Sequence, residues 1–262
     1  QLSSPLLDIE SKISQIKQEV LRAQDFFSDQ MEDGGYLQNG EGKTFELVKD
    51  SSSNEVHVQK VMVEGVTLST YNQWAEQSFQ LINNLYYSSD RLTSHPDLQG
   101  YPSDKFIYCV VMFDVEYEGG IATQSSLNSG FCIISTQNCN WALITHEVGH
   151  ALGLDHDWRF PPTGQRYIMA YGWSSEIVFS DFARAFLDRS RFLNRQEFDG
   201  HSDDNNLAPE IEITSSVSYL TESDTHQVDF TVTDSDGLHL VAFYGQADLD
   251  GGRGLVELGV SG

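Results

Sequence analysis

The stretch HEVGHALGLDH, residues 146–156, constrains this chain more than any other. On a helix, residues four apart stack on one face. His146 and His150 can therefore aim two imidazoles at one metal ion. Glu147 adjoins the first of them and is placed to act on a water at that metal. Gly153, free to take positive φ, allows a sharp turn after the helix, and the returning chain delivers His156 as a third ligand. Three histidines leave one coordination position open, the arrangement of a catalytic rather than a structural zinc site. A bare HExxH arises by chance fairly often, and it is the added Gly153 and His156 that make coincidence improbable.

The rest of the composition narrows the partners. Fifteen Lys+Arg stand against 39 Asp+Glu, a net charge of −24 over 262 residues. Phosphate backbones are repelled by such a chain, so no nucleic acid is expected, and no polybasic membrane helix is present. No run approaches the roughly 20 apolar residues that span a bilayer, and QLSSPLLDIE at residues 1–10 lacks the basic and apolar regions of a signal peptide. The three cysteines cannot form a complete disulfide framework. Cys132 and Cys139 are close enough in sequence to close a small loop, and Cys109, inside KFIYCVVMF, reads as a buried free thiol.

Periodicity divides the chain further. Apolar residues at Ile9, Ile13, Ile16, Val20, Phe27 and Met31 predict a helix over 6–31, with Gly34-Gly35 as its stop. KTFELV (43–48) and EVHVQKVMV (55–63) read as short strands, 69–87 as a helix and 90–104 as loop. KFIYCVVMFDV (105–115) is the strongest strand, apolar as if buried on both faces. GIATQSS and GFCIIST follow Gly119-Gly120 as two shorter strands. NWALITHEVGHALGL (140–154) reads as the metal-bearing helix, 155–179 as irregular and 179–193 as another helix. DGHSDDNNL (199–207) marks a linker, and short alternating strands after residue 208 predict part of a small β-sandwich.

With RYIMAYG placed 13 residues after His156 at its Met169, the pattern HExxHxxGxxH resembles the metzincin clan of zinc endopeptidases. The resemblance is sharp over about 140–195, looser over 1–139, and does not reach 208–262. It implies an α+β fold: a twisted, mostly parallel sheet with an antiparallel edge strand, long helices, the zinc helix and the methionine turn. It makes residues 1–200 the catalytic domain, while the polar run and the alternating strands after it make 201–207 a linker and 208–262 a partial immunoglobulin-like module. Met169 takes the place of the methionine that floors the zinc site without binding metal. Asp157, directly after the third histidine, is similar to the reprolysin (adamalysin) group and is expected to order the loop beneath the site. Tyr171 is similar to the astacin and serralysin tyrosine that stabilises the oxyanion. Gly120, Ile121 and Ala122 match the clan's edge strand, on which an extended substrate can pair. Cys132 and Cys139 would tie the segment before the zinc helix to its first turn. The clan's first strand, before the N-terminal helix, has no candidate in these residues. The block from YIMAYG to FARAFLDRSRFLN also looks like secreted bacterial metzincins with appended β-domains.

The expected activity is hydrolysis of peptide bonds in proteins by metal-activated water, with Glu147 as general base and one catalytic Zn2+. The expected partner is a protein or peptide substrate, and the chain is expected to be a secreted, extracellular monomer. Asp234/Asp236 and Asp248/Asp250 could bind Ca2+, although neither pair fits an EF-hand. Two other readings stand beside this one. The chain could be an adhesion or binding protein with a vestigial protease-like domain, or a peptidase that processes a single partner.

Overall fold

The computed structural model describes residues 9–58, 107–112, 119–126, 129–135, 139–157, 159, 166–170, 176–190 and 192–193. Beyond these it describes the segments 210–214, 218–220, 225–227, 229–233, 241–246 and 253–259. The expected helix at 69–87, the loop at 90–104 and the linker at 201–207 lie outside the described residues, as do both aspartate pairs considered for calcium.

Helix α1 spans Ile9–Asp33 and ends where Gly35 takes φ +80. Ile13, Ile16, Ala23, Phe27 and Met31 face inward, whereas Ile9 is exposed. Strands β1 (Leu37–Gln38) and β2 (Glu41–Gly42) form a tight hairpin after it. The segment 43–48 is not the strand its composition predicts. Its groups bond to α1 instead: Gln24 Nε2 donates to the Phe45 carbonyl at 2.6 Å, and Thr44 Oγ1 donates to the Gln24 carbonyl at 3.1 Å. The Phe45 ring then meets Phe27 edge-on at 5.1 Å, so the segment lines the helix rather than a sheet. Of the second expected strand only a single bridge, Lys49 to Val56, is described.

β3 (Ile107–Met112), β4 (Gly120–Ser126) and β5 (Ser129–Ser135) form a sheet in the order β3-β5-β4. β3 and β5 run parallel, with Cys109 opposite Cys132, and β4 runs antiparallel to β5, with Ala122 opposite Cys132. Among the described strands β4 pairs on one side only. Phe131 through Ser135 are all buried, as expected of a strand covered on both faces.

Helix α2 (Trp141–Ala151) lies against this sheet and against α1. Asn140 caps its N-terminus, its Oδ1 accepting from the amides of Ala142 and Leu143. Trp141 is anchored to α1 twice. Its amide donates to Glu19 Oε2 at 2.8 Å and its ring packs on Phe26 at 5.2 Å. β6 (His156–Asp157), β7 (Arg166–Tyr167) and β8 (Ile177–Val178) interrupt the segment read as irregular, with β7 and β8 parallel. Helix α3 (Asp181–Asp188) closes the core through Phe182, Ala183 and Leu187. Phe179 sits between α1 and α3. Its ring packs on Phe27 at 4.9 Å and its amide donates to the buried Gln30 side chain at 2.9 Å.

The later strands pair locally as β9 (Glu210–Ile213) with β12 (Phe230–Thr233), and β10 (Ser218–Leu220) with β11 (Thr225–Gln227). β13 (Val241–Gln246) and β14 (Arg253–Gly259) form a bulged antiparallel pair. β14 also runs parallel to β6, with Gly254 opposite His156 and Leu255 opposite Asp157.

The cysteine expectations need correction. All three cysteines are free thiols, so the bridge between Cys132 and Cys139 is not formed. Cys109 is exposed rather than buried. The physical reason is the sheet register, which sets Cys132 beside Cys109 of β3, a residue distant in sequence.

Candidate metal centre

The end of α2 builds two thirds of the site. Leu152 caps the helix, and Gly153 follows at φ +101, a conformation open to glycine and costly for other residues. Gly153 N donates to the His150 carbonyl and Leu154 N to the Gly149 carbonyl, both at 2.9 Å, the double closure of a Schellman turn. The same turn presents the Leu154 carbonyl to His150 Nδ1 at 2.7 Å. One loop thus reverses the chain and fixes the ring of the second ligand.

His146 is held in the same way from the other direction. Its Nδ1 lies 2.6 Å from the Ile168 carbonyl. Ile168 belongs to the turn that follows β7, where Ala170 N donates to the Tyr167 carbonyl and Ile168 N to the Val178 carbonyl. The next residue, Met169, is buried directly beneath α2. A Cβ placed on Gly149 would come within 2.6 Å of its sulfur, so a side chain at this position between the two histidines would displace the methionine. The Met169 carbonyl accepts from Asp157 N at 3.0 Å, which ties the turn to the strand that carries His156.

A ring whose Nδ1–H donates to a carbonyl presents an Nε2 lone pair. His150 Nε2 lies 3.1 Å from His146 Nε2 and 3.2 Å from His156 Nε2. Lone pairs converging this closely repel unless a cation lies between them. A tetrahedral ion with metal–nitrogen distances of about 2.0–2.1 Å has a ligand–ligand edge of about 3.3–3.4 Å, close to the observed separations. The donor set therefore fits a metal ion. The protonation states agree with this. Burial, with the neighbouring imidazoles adding to it, lowers His146 to about 3 and His156 to about 4. Burial also lowers His150. All three are thus neutral at physiological pH, the form that ligates metal.

Glu147 is buried on the adjacent face of α2, and burial pushes its carboxyl up to about 8. The first residue of β4 forms its wall. A Cβ on Gly120 would meet Glu147 Oε1 at 2.5 Å and Cδ and Cγ at 2.6 Å. Only a glycine lets the strand approach the carboxylate this closely. Ile121 and Ala122 continue β4 from that point.

Asp157 is buried below the ligands and takes up Arg159. Its Oδ1 accepts from Arg159 N and Nε, and its Oδ2 from Nη2 at 2.6 Å, a forked ion pair that raises the guanidinium pKa. The guanidinium also lies 5.9 Å from the centre of the Tyr167 ring. Tyr171 is outside the described residues.

The structure thus brings His146, His150, His156, Glu147, Met169, Gly153, Asp157 and Gly120 into one neighbourhood. Gly149, Arg159 and the carbonyls of Leu154 and Ile168 join this neighbourhood without standing out in the sequence. Gly149 carried a signal in being the smallest residue between two ligands, and Arg159 in standing two places after an acidic residue. The two carbonyls carried none, because any residue supplies one.

No protein-family model and no curated protein matches the sequence. Among solved structures, the chain is similar to wild-type OgpA from Akkermansia muciniphila in two crystal forms, at a TM-score of 0.46 and 15% identity in each. The similarity covers 80% and 83% of this chain and 62% and 65% of that one, so it takes in less than two thirds of OgpA's length.

Proposed function

We propose that this chain is a zinc-dependent endopeptidase of metzincin type, secreted and acting on extended protein or peptide segments. The observation that carries the reading is the convergence of three neutral imidazole Nε2 atoms beside a buried, non-ligating carboxylate. A site kept for structure alone has no use for Glu147. Three imidazoles suit zinc and leave a position open for chemistry.

A zinc ion held by His146, His150 and His156 supplies Lewis acidity toward a carbonyl oxygen and toward water. Glu147 takes the proton of the attacking water and returns it to the leaving amine. A carboxyl raised toward neutral pH by burial can do both. β4 receives the substrate. Its unpaired side among the described strands offers backbone donors and acceptors, and Gly120 brings that strand up to Glu147. The carbonyls of Leu154 and Ile168 keep the ligand rings from turning. The Tyr171 hydroxyl is assigned to the oxyanion by the metzincin resemblance alone.

The test is casein hydrolysis by zinc-loaded protein, with and without a chelator, beside Glu147→Gln. Activity that vanishes with the chelator, and falls by about 10³-fold or more in the variant at unchanged zinc content, is the expected result. A variant that keeps full turnover removes Glu147 from the mechanism. An inert parent on both casein and a peptide library returns the chain to a binding role.

A further inference from the structure

The three thiols take no part in the proposed hydrolysis, yet two of them face each other across neighbouring strands. β3 and β5 run parallel with Cys109 directly opposite Cys132. Directly opposed residues of a parallel ladder project to the same face. Ile107 and Val111, two residues to either side of Cys109, pack against the core cluster that contains Cys132. The two sulfurs are therefore on one side of the sheet. Cys109 is exposed and Cys132 is fully buried behind it. Neighbouring strands lie about 4.8 Å apart, within the roughly 4.4–6.8 Å Cα separation of disulfides. A disulfide with one sulfur exposed, as at Cys109, belongs to the readily reduced class.

We propose that Cys109 and Cys132 are a reversible thiol–disulfide site that takes small-molecule disulfides as its oxidant. The exposed Cys109 thiolate attacks one sulfur of oxidised glutathione, giving a mixed disulfide and releasing one glutathione thiolate. Cys132 loses its proton as it attacks the Cys109 sulfur, and the second glutathione thiolate leaves. Two protein thiols become one disulfide, one small disulfide becomes two thiols, and the two protons end on those thiols. Cys139 stays outside the exchange. It is buried and lies outside the β3–β5 ladder that sets Cys109 opposite Cys132. The site bears on the proposed catalytic face through Cys132. This residue lies opposite Ala122 of β4 and shares the core with Leu143 and Val148 of α2.

The experiment is oxidation of the folded, full chain with oxidised glutathione, followed by alkylation at low pH, digestion and mass spectrometry. The expected product is a peptide pair joining Cys109 to Cys132, lighter by two hydrogens than the reduced pair, with Cys139 alkylated only after unfolding. Reduced glutathione should reopen it in the native protein. Cys139→Ser should leave the product unchanged, and Cys132→Ser should stop the reaction at glutathionylated Cys109. A Cys132–Cys139 linkage, a Cys109 that remains glutathionylated in the parent, an unreacted Cys109, or a bond that reduced glutathione does not open would each overturn the proposal. Parallel oxidation in denaturant shows whether the pairing depends on the fold. The same product distribution there also counts against the sheet register as its cause.

Discussion

The two sides of helix α2 are built by different means. On the side of the turns, the candidate ligands are fixed by hydrogen bonds to main-chain carbonyls, His146 to Ile168 and His150 to Leu154. On the side of the sheet, Glu147 is fixed by contact with a strand that has no side chain at Gly120. Hydrogen bonds set a ring's direction and tautomer, which is what a metal requires of its ligands. A close wall sets a carboxylate's position while leaving its oxygens available for proton transfer. Under the proposed function, the difference assigns metal affinity and turnover to separate parts of one helix.

Substitutions on each side can break this division. The largest effect is expected from His150→Ala, which removes a ligand outright. Zinc binding should weaken by more than about 100-fold, beyond the cost of losing an outer partner, and calorimetric titration would measure it. Gly120→Ala comes next. The added Cβ must displace Glu147, so kcat should fall by about 100-fold with KM less affected and zinc affinity unchanged. Loss of zinc from this variant would show that the two sides are not separate. Gly149→Ala should give the reverse pattern. By displacing Met169 it should cost about tenfold in zinc affinity, with turnover per bound zinc near the parental value. The smallest effect belongs to Asn140→Ala, which removes the cap far from both sides. It should cost about 1 kcal/mol in chemical denaturation and leave zinc affinity and kcat as they were.

The sequence made legible what is local. His146 and His150 share a helical face by spacing alone, and Gly153 marked the reversal that brings His156 back. The end of α1 and the strands at 107–112, 120–126 and 129–135 were also readable from periodicity and glycine. What failed to show was set by tertiary neighbours. KTFELV has the composition of a strand, but α1 takes up its polar groups before any strand can. Cys132 stands seven residues from Cys139 and twenty-three from Cys109, yet register decides in favour of the distant one. Gly120 was legible as part of an edge strand, whereas its contact with Glu147 depends on how closely a helix packs on a sheet.

The pairing of β14 with β6 bears on the order in which the centre is assembled. His146 and His150 are set as soon as one helix and its cap have formed. The strand that carries His156 gains its ladder partner β14 only when Gly254 and Leu255 reach it, ninety-eight residues after the positions they oppose. Closing so long a loop is entropically costly and slow beside helix formation. During synthesis on the ribosome the chain therefore passes through a stage with two of the candidate ligands placed and β14 not yet joined to β6.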